Sequence, residues 1–226
     1  MKKTLAALSA ATLVSIALAA CSSSGTTSRM AMPADQDLCG WSGSAADAVN
    51  AANAEMSGID LSGPVVENFG DSATSGEPRI SEIKFLAYPG SMQPIGNATD
   101  LSQIDAIYNI PIYPDGQATP EPKTFASVHL SMTGLCPGSW AFVPQMWMET
   151  FGVDAPTLET QQAIDAGTAY LKENLGDEVM DRLRIQDMLL YKRLEDGFPL
   201  SWFMRGNINN KNFALQIDQD GTVTPK

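Results

Sequence analysis

Beyond residue 40 the hydrophobic positions change period three times along the chain. Between residues 45 and 56 they crowd at helical spacing: Ala45, Ala46, Ala48, Val49, Ala51, Ala52, Ala54 and Met56. Ser42 or Ser44 can cap that helix and Gly58 can end it. Such small side chains let a helix sit close to a sheet. The period then drops to two, the spacing of half-buried strands. Pro64 to Phe69 reads as a short strand, and Ile80–Tyr88, Ile104–Tyr113 and Thr124–Thr133 as longer ones. Ile104, Ala106, Tyr108, Ile110 and Ile112 share one face, as do Ala126, Val128, Leu130 and Met132. Pro111 cannot donate to a ladder, which predicts an edge strand or a bulge there.

Leu135 to Gly152 is the most apolar stretch of this region. Helical spacing returns from Thr157, the expected cap, to about Leu175, with Gly176 beyond its end. Ile164, Thr168, Leu171 and Leu175 form its stripe. Arg182–Leu194, Leu200–Asn207 and Asn212–Asp218 alternate again. Turns are expected at Asp196-Gly197, across the Asn-rich residues 207–212, and at Asp220-Gly221 before Thr222–Thr224. Helix, strands, helix, strands implies an α+β fold class: two helices packed on one or more antiparallel meander sheets, with a helix-plus-strands order that occurs twice. No residue-level repeat accompanies that order. The body is expected over residues 38–226, with a subdivision near residue 150 as the alternative. The Gly-, Pro- and Asn-rich stretch 89–103 is long for a connection, as functional loops often are.

The amino terminus differs in kind. Lys2 and Lys3 precede an uncharged run from Thr4 to Ala20, which has the layout of a secretory signal peptide. Leu18-Ala19-Ala20-Cys21 resembles the lipobox of bacterial lipoproteins. That resemblance covers residues 1–21 only. It implies cleavage between Ala20 and Cys21 and acylation of Cys21 on its sulfur and its new amine, with palmitate-type chains. A thiolate is the nucleophile such chemistry needs, and small residues at 19 and 20 admit a peptidase. Each buried methylene contributes about 0.8 kcal/mol, so two or more chains anchor a protein stably. In lipoproteins of Gram-negative bacteria an Asp after the Cys tends to retain the protein at the inner membrane. Ser22 stands there, which implies the outer membrane and a periplasmic body. An ordinary signal peptide with a chance Cys is the competing reading.

Removing residues 1–20 takes away two lysines and no acid, which moves the formal charge from −12 to −14. That sign argues against nucleic acid, whose phosphates are met by Lys and Arg, and against anionic lipid heads. The membrane contact is therefore expected through the acyl chains alone. With Cys21 acylated, Cys39 and Cys136 remain, an even pair in an oxidising compartment, and a disulfide is expected. Two separate thiols are the alternative. Residues 21–37 read as a flexible tether, because SSSGTTSRMAMPADQD has little to bury. Sixteen such residues span roughly 20–24 Å as a coil.

Candidate chemistry is sparse. His129 is the single histidine, which removes multi-His metal centres. It shares a strand face with Ser127 and Ser131, a possible nucleophile–base set, yet neither Ser sits in a Gly-x-Ser-x-Gly elbow. Met146 and Met148 flank Trp147 as soft atoms suited to Cu(I), though Met and Trp are ordinary core fillers. Trp140, Phe142, Met146, Trp147 and Phe151 suggest the wall of an apolar groove for a lipid, a peptide or a protein, against burial in a core. Asp218 to Gly221 is half of a calcium loop without its twelfth-position acid, and a hairpin turn explains it equally. Asn97-Ala-Thr99 matches a glycosylation acceptor, a coincidence in a bacterial chain. Phe213 to Thr224 (FALQIDQDGTVT) resembles the end of small envelope protease inhibitors of the potato-inhibitor-like lipoprotein group. The expectation is a binding or structural lipoprotein of the envelope with no metal or cofactor. A protease inhibitor presenting loop 89–103 and a hydrolase using His129 are the alternatives.

Overall fold

A computed structural model describes residues 38–87, 96–115, 124–146, 153–192 and 199–226, with the side chains of Gln145, Met146 and Val179 outside that description. Its centre is one antiparallel sheet of nine strands. The strands are β1 (Thr74–Ser75), β2 (Arg79–Leu86), β3 (Gln103–Tyr113), β4 (Thr124–Thr133), β5 (Cys136–Met146), β6 (Leu183–Tyr191), β7 (Ser201–Ile208), β8 (Lys211–Asp218) and β9 (Val223–Pro225). Three α-helices accompany them: α1 (Ala45–Ser57), α2 (Ser62–Phe69) and α3 (Thr160–Leu175). The fold is thus mixed α+β but dominated by its sheet, with three helices among the described residues rather than two.

The strand order is β5-β4-β3-β2-β6-β7-β8-β9, with β1 pairing β3 beyond the end of β2. Two meanders therefore meet through their first strands, Glu82 to Leu86 running against Tyr191 to Asp187. A helix precedes each meander. The order is symmetric about the β2/β6 seam, so the helix-plus-strands order seen twice in the chain closes into one sheet.

One sheet face is apolar from end to end. Ile83 and Phe85 of β2 pair across the seam with Leu190 and Met188 of β6, and all four are fully buried. Ala126, Val128, Leu130 and Met132 continue this face on β4, and Trp202, Met204 and Ile217 on β7 and β8. The helices lie on it: α1 over β4, and α3 over β7 and β8. The rings of Trp41, Phe85 and Trp202 form a chain across the seam, with centroids 6.1 and 5.5 Å apart. Trp202 Nε1 donates to the carbonyl of Leu158 at 2.8 Å. Gly206 has no side chain because β6 and Phe213 leave no room: a Cβ there would strike the carbonyl oxygen of Arg184 and the Phe213 ring.

Local chemistry explains most boundaries. Ser44 caps α1 by accepting from the Asp47 N–H, and Gly58 closes it. Asn209 and Asn210 take φ of 53° and 63°, the pair of left-handed residues a two-residue hairpin turn needs. Pro64 to Phe69 is a correction: it is the body of α2, not a strand. Pro64 falls in the first helical turn, where its missing N–H has no partner to lose, and Gly70 ends the helix. Pro111 is a second correction. Its strand is interior, paired on both sides, and the register shift in its own pairings lies in β2 at Ser81, away from Pro111. Its carbonyl accepts from Gly76 N, so its nitrogen points to the side where β2 has ended. The α3 cap is Glu159, two residues past the expected Thr157. The buried stripe of α3 is Thr160, Ala163, Ile164, Gly167 and Leu171, while Leu175 is exposed.

Candidate functional site

Between α1 and β2 the chain takes a long route, residues 58–78, by way of α2 and β1. The equivalent connection from α3 to β6, residues 176–182, is a short 3-10 turn whose Met180 packs against the core. The longer route leaves a cleft of about 970 Å³. Its floor is Ile80 and Tyr108 on β2 and β3. One wall is the end of α1 at Asn53 and Met56, with Leu61 and then Val65 and Val66 of α2. Ala73, Thr74 and Ser75 form the other side, and Val153 closes it by donating its N–H to the carbonyl of Ile80 at 2.7 Å.

Charged residues of both signs ring this cleft. Asp60, Glu77 and Asp154 bring carboxylates, and Arg79 and Lys192 bring cations. Asp60 accepts from Ser62 N at 2.9 Å at the start of α2, and that backbone donor holds its carboxyl below the usual value of 3.8. Tyr108 is 1% exposed. Its hydroxyl donates to Asn53 Oδ1 at 3.0 Å, and burial pushes its ionisation well above the ordinary tyrosine range. Tyr108 therefore stays a neutral donor that ties α1 to the floor.

A second feature lies at the opposite ends of the helices. The Glu159 carboxylate accepts from Ala45 N at 2.7 Å and from Ser44 Oγ at 3.4 Å. It also caps the third residue of its own helix, while Gln162 Oε1 accepts from Glu159 N at 2.9 Å. One carboxylate thus serves the amino ends of α1 and α3 together, where both helix dipoles are positive. This junction is a structural clasp: Ala45 N and the Ser44 hydroxyl are already bonded to Glu159, and Asp47 N to Ser44 Oγ.

The residues singled out in the sequence are scattered around this frame. Cys39 and Cys136 form the disulfide, with Cα atoms 5.2 Å apart. It fastens the first described residues to the β4–β5 hairpin, where Leu135 N also donates to the carbonyl of Leu38 at 3.0 Å. Trp140 and Phe142 stand on β5, an outer strand of the sheet, opposite Leu130 and Val128. Trp140 is 41% exposed, and Phe142 meets Phe69 of α2 edge-on at 6.5 Å. Neither lines the cleft. The side chain of Met146, and Trp147, Met148 and Phe151, lie outside the described residues, as do Ala20, Cys21, the tether and the Asp196-Gly197 turn. His129 is exposed on the sheet face away from the helices, between Ile107 and Ala141. Ser131 Oγ donates to Asp105 at 2.6 Å, and Ser127 is buried. Of loop 89–103, residues 96–103 are described. Asp100 caps Gly96 and Asn97, and Ala98 is buried.

Asp218 to Gly221 is a hairpin turn. Asp218 N donates to Thr222 O, Gly221 N to Asp218 O, and Thr222 N to Asp220 Oδ1. Among the described residues no group of three or more His, Cys, Asp or Glu side chains is arranged to hold a metal, and no helix is long and apolar enough to cross a membrane. The cleft itself had no signature in the sequence. Its lining comes from five separated segments of ordinary residue types.

Set against protein-family models, curated proteins and solved structures, the chain matches none. What the fold and cleft define is a class: a sheet-dominated α+β protein with a helix-walled cleft on the apolar face of its sheet.

Proposed function

We propose that this protein is a lipid-anchored binding module of the bacterial envelope, held at the outer membrane through Cys21 and taking a small, partly apolar ligand into the cleft beside α2. The cleft carries the reading. Two halves of the same element order share one sheet, and among the described residues the first leaves space between helix and strands. The closed connection at residues 176–182 indicates that the architecture does not require the gap. Its volume lies at the top of the range of roughly 300–1,000 Å³ that one small ligand fills. Apolar walls with a few charged groups at the mouth are the usual make-up of such sites.

Two measurements test the two parts. Mass spectrometry of the native protein should find a chain that begins at Cys21 with acyl chains on it. A different first residue, or an unmodified Cys21, would defeat the anchor. For the cleft, the full chain carrying Cys21→Ser keeps every described residue and the whole buried core, which starts at Trp41. Nile red should bind it with a blue-shifted emission. Val66→Trp, at an exposed position of the α2 wall, should weaken that signal by narrowing the cleft. Equal emission from both chains would show that the dye, and the ligand it stands for, goes elsewhere.

A further inference from the structure

We propose that the outer edge of β5 pairs antiparallel with β5 of a second copy of this chain, joining two sheets about a two-fold axis at Ala141. The proposal is independent of what the cleft takes. β5 ends the sheet, and among the described residues no strand pairs with its outer side. The opposite end is β9, three residues closed by Pro225, a short edge of the protected kind. β5 is 11 residues long and carries none of the charged side chains that guard an edge. Residues 137–141 are exposed, and Trp140 is among the large apolar side chains that reach solvent.

Charge and register name the occupant. A chain of formal charge −12 repels its own copies. From residue 124 to 148 the sequence has no Asp, Glu, Lys or Arg, the longest such run within residues 38–226. That run covers β4 and β5, so two copies meet with least repulsion at this end of the sheet. Backbone direction follows from two bonds. Gly134 N donates to the Ser102 carbonyl, and the Pro111 carbonyl accepts from Gly76 N, away from Phe125 opposite it. Odd-numbered residues of β4 therefore face β5. Their partners Ser139, Ala141 and Val143 face back, which leaves the N–H and C=O of Trp140 and Phe142 on the outer side. Register shifts bound residues 139–143 at both ends, with Pro137 and Pro144 just beyond. The regular segment is thus centred on Ala141. A two-fold axis there sets Trp140 against Phe142 of the second copy, and Phe142 against its Trp140. Each such pair exchanges two backbone hydrogen bonds and brings two aromatic rings together on one face. The two Ala141 residues meet as a non-hydrogen-bonded pair, about 4.5 Å between Cα atoms, where a small side chain fits.

Cysteine cross-linking in cells that make the full chain tests the register. Ala141→Cys should give a disulfide-linked dimer on a non-reducing gel after mild oxidation, because the Cα separation of that pair suits the bond. Ser139→Cys, also at an exposed position, should link at least about tenfold less, since this register holds the two residues roughly 14 Å apart. Equal linking at both positions, no linking at 141, or linking of 141 to a different protein overturns the proposal. Sedimentation equilibrium of the Cys21→Ser chain is the second measure. An interface confined to one edge is small, so the dimer should be weak, with a dissociation constant on the order of 100 μM. Ala141→Lys sets two cations face to face and should weaken it by about tenfold or more, with an unchanged far-ultraviolet spectrum. Added salt should tighten the dimer by screening the like charge of the two bodies. A monomer at every concentration up to about 1 mM, a dimer indifferent to Ala141→Lys, or one that salt dissociates overturns the proposal.

Discussion

Replacing Glu159 by Ala should loosen two helices at once. Its carboxylate takes the Ala45 N–H at 2.7 Å and caps the first turn of α3. Loss of an N-cap side chain costs about 1 kcal/mol. Loss of a charge-assisted acceptor for Ala45 costs roughly 1–3 kcal/mol. Glu159 is half-buried, so water can reach part of the vacated site and the lower half of that range applies. The expected loss is about 2–3 kcal/mol. Glu159→Gln keeps an acceptor oxygen and gives up the attraction of a negative charge to two helix ends, so it should lose only about 1 kcal/mol. The assay is urea unfolding, in which the midpoint falls while the slope stays constant. The thermal midpoint should drop by about 2–4 °C for each kcal/mol in a body of this size. A Glu159→Ala loss below about 0.5 kcal/mol would refute the clasp, because ordinary surface substitutions fall within that margin.

Four further outcomes are expected. Cys39→Ser with Cys136→Ser opens a bridge across a sequence separation of 97 and should cost up to about 4–5 kcal/mol in urea, and a change under about 1 kcal/mol would contradict the chain-entropy account. Tyr108→Phe gives up the bond to Asn53 and should cost about 1 kcal/mol at neutral pH. Because the folded protein holds Tyr108 protonated beyond the ordinary tyrosine range, that residue's contribution is present below the unfolded value and lost as pH rises through the folded one. An alkaline spectral titration should show a step above the ordinary tyrosine range that the Phe variant lacks. Asp220 runs the opposite way. The Thr222 N–H lowers its folded value below 3.8, so the stability gap between wild type and Asp220→Ala should hold above that value and close as pH falls below it, as urea midpoints across acid pH would report. Gly206→Ala should destabilise by roughly 1–3 kcal/mol, since the new Cβ meets the Arg184 carbonyl as well as the Phe213 ring and only the ring can move.

Local rules made much of the fold legible. The ends of α1 followed from Ser44 and Gly58, and β3 and β4 from unbroken alternation, because in each case propensity and packing agree. The α2 segment misled because Val65 and Val66 favour strands, and there is no side-chain cap at Leu61 to announce a helix. Asp60 bonded two residues on to Ser62, Pro64 in a first turn and Gly70 after Phe69 were the available signals. Pro111 misled for a different reason. It marks a missing donor on one side only, and that side became clear once β2 was seen to stop at Arg79. Glu159 is a poor cap by frequency; its role depends on Ala45, which only the folded chain brings within reach. The cleft was hidden for the same reason, as Tyr108, Val66 and Val153 are neighbours in space alone. The disulfide needed no geometry. A count of cysteines and an inferred compartment were enough.

The seam between the meanders decides whether those two halves act as one. If β2 and β6 were parted, each half would expose the ladder edge of its own first strand, and edges of that kind are unfavourable. Phe85 would lose Trp202, its partner at 5.5 Å on the other half. The halves should therefore unfold together. Phe85→Ala sets the test, because Phe85 belongs to the first half and touches rings on both sides of the seam. Truncating a fully buried Phe costs about 3–5 kcal/mol. Amide exchange should then quicken to the same extent in β3 and β4 as in β7 and β8, as expected of one cooperative unit. Faster exchange in β2–β5 alone, with β6–β9 still protected, would mean that the seam joins two independently stable sheets. A cleft in the first half would then open and close without the second.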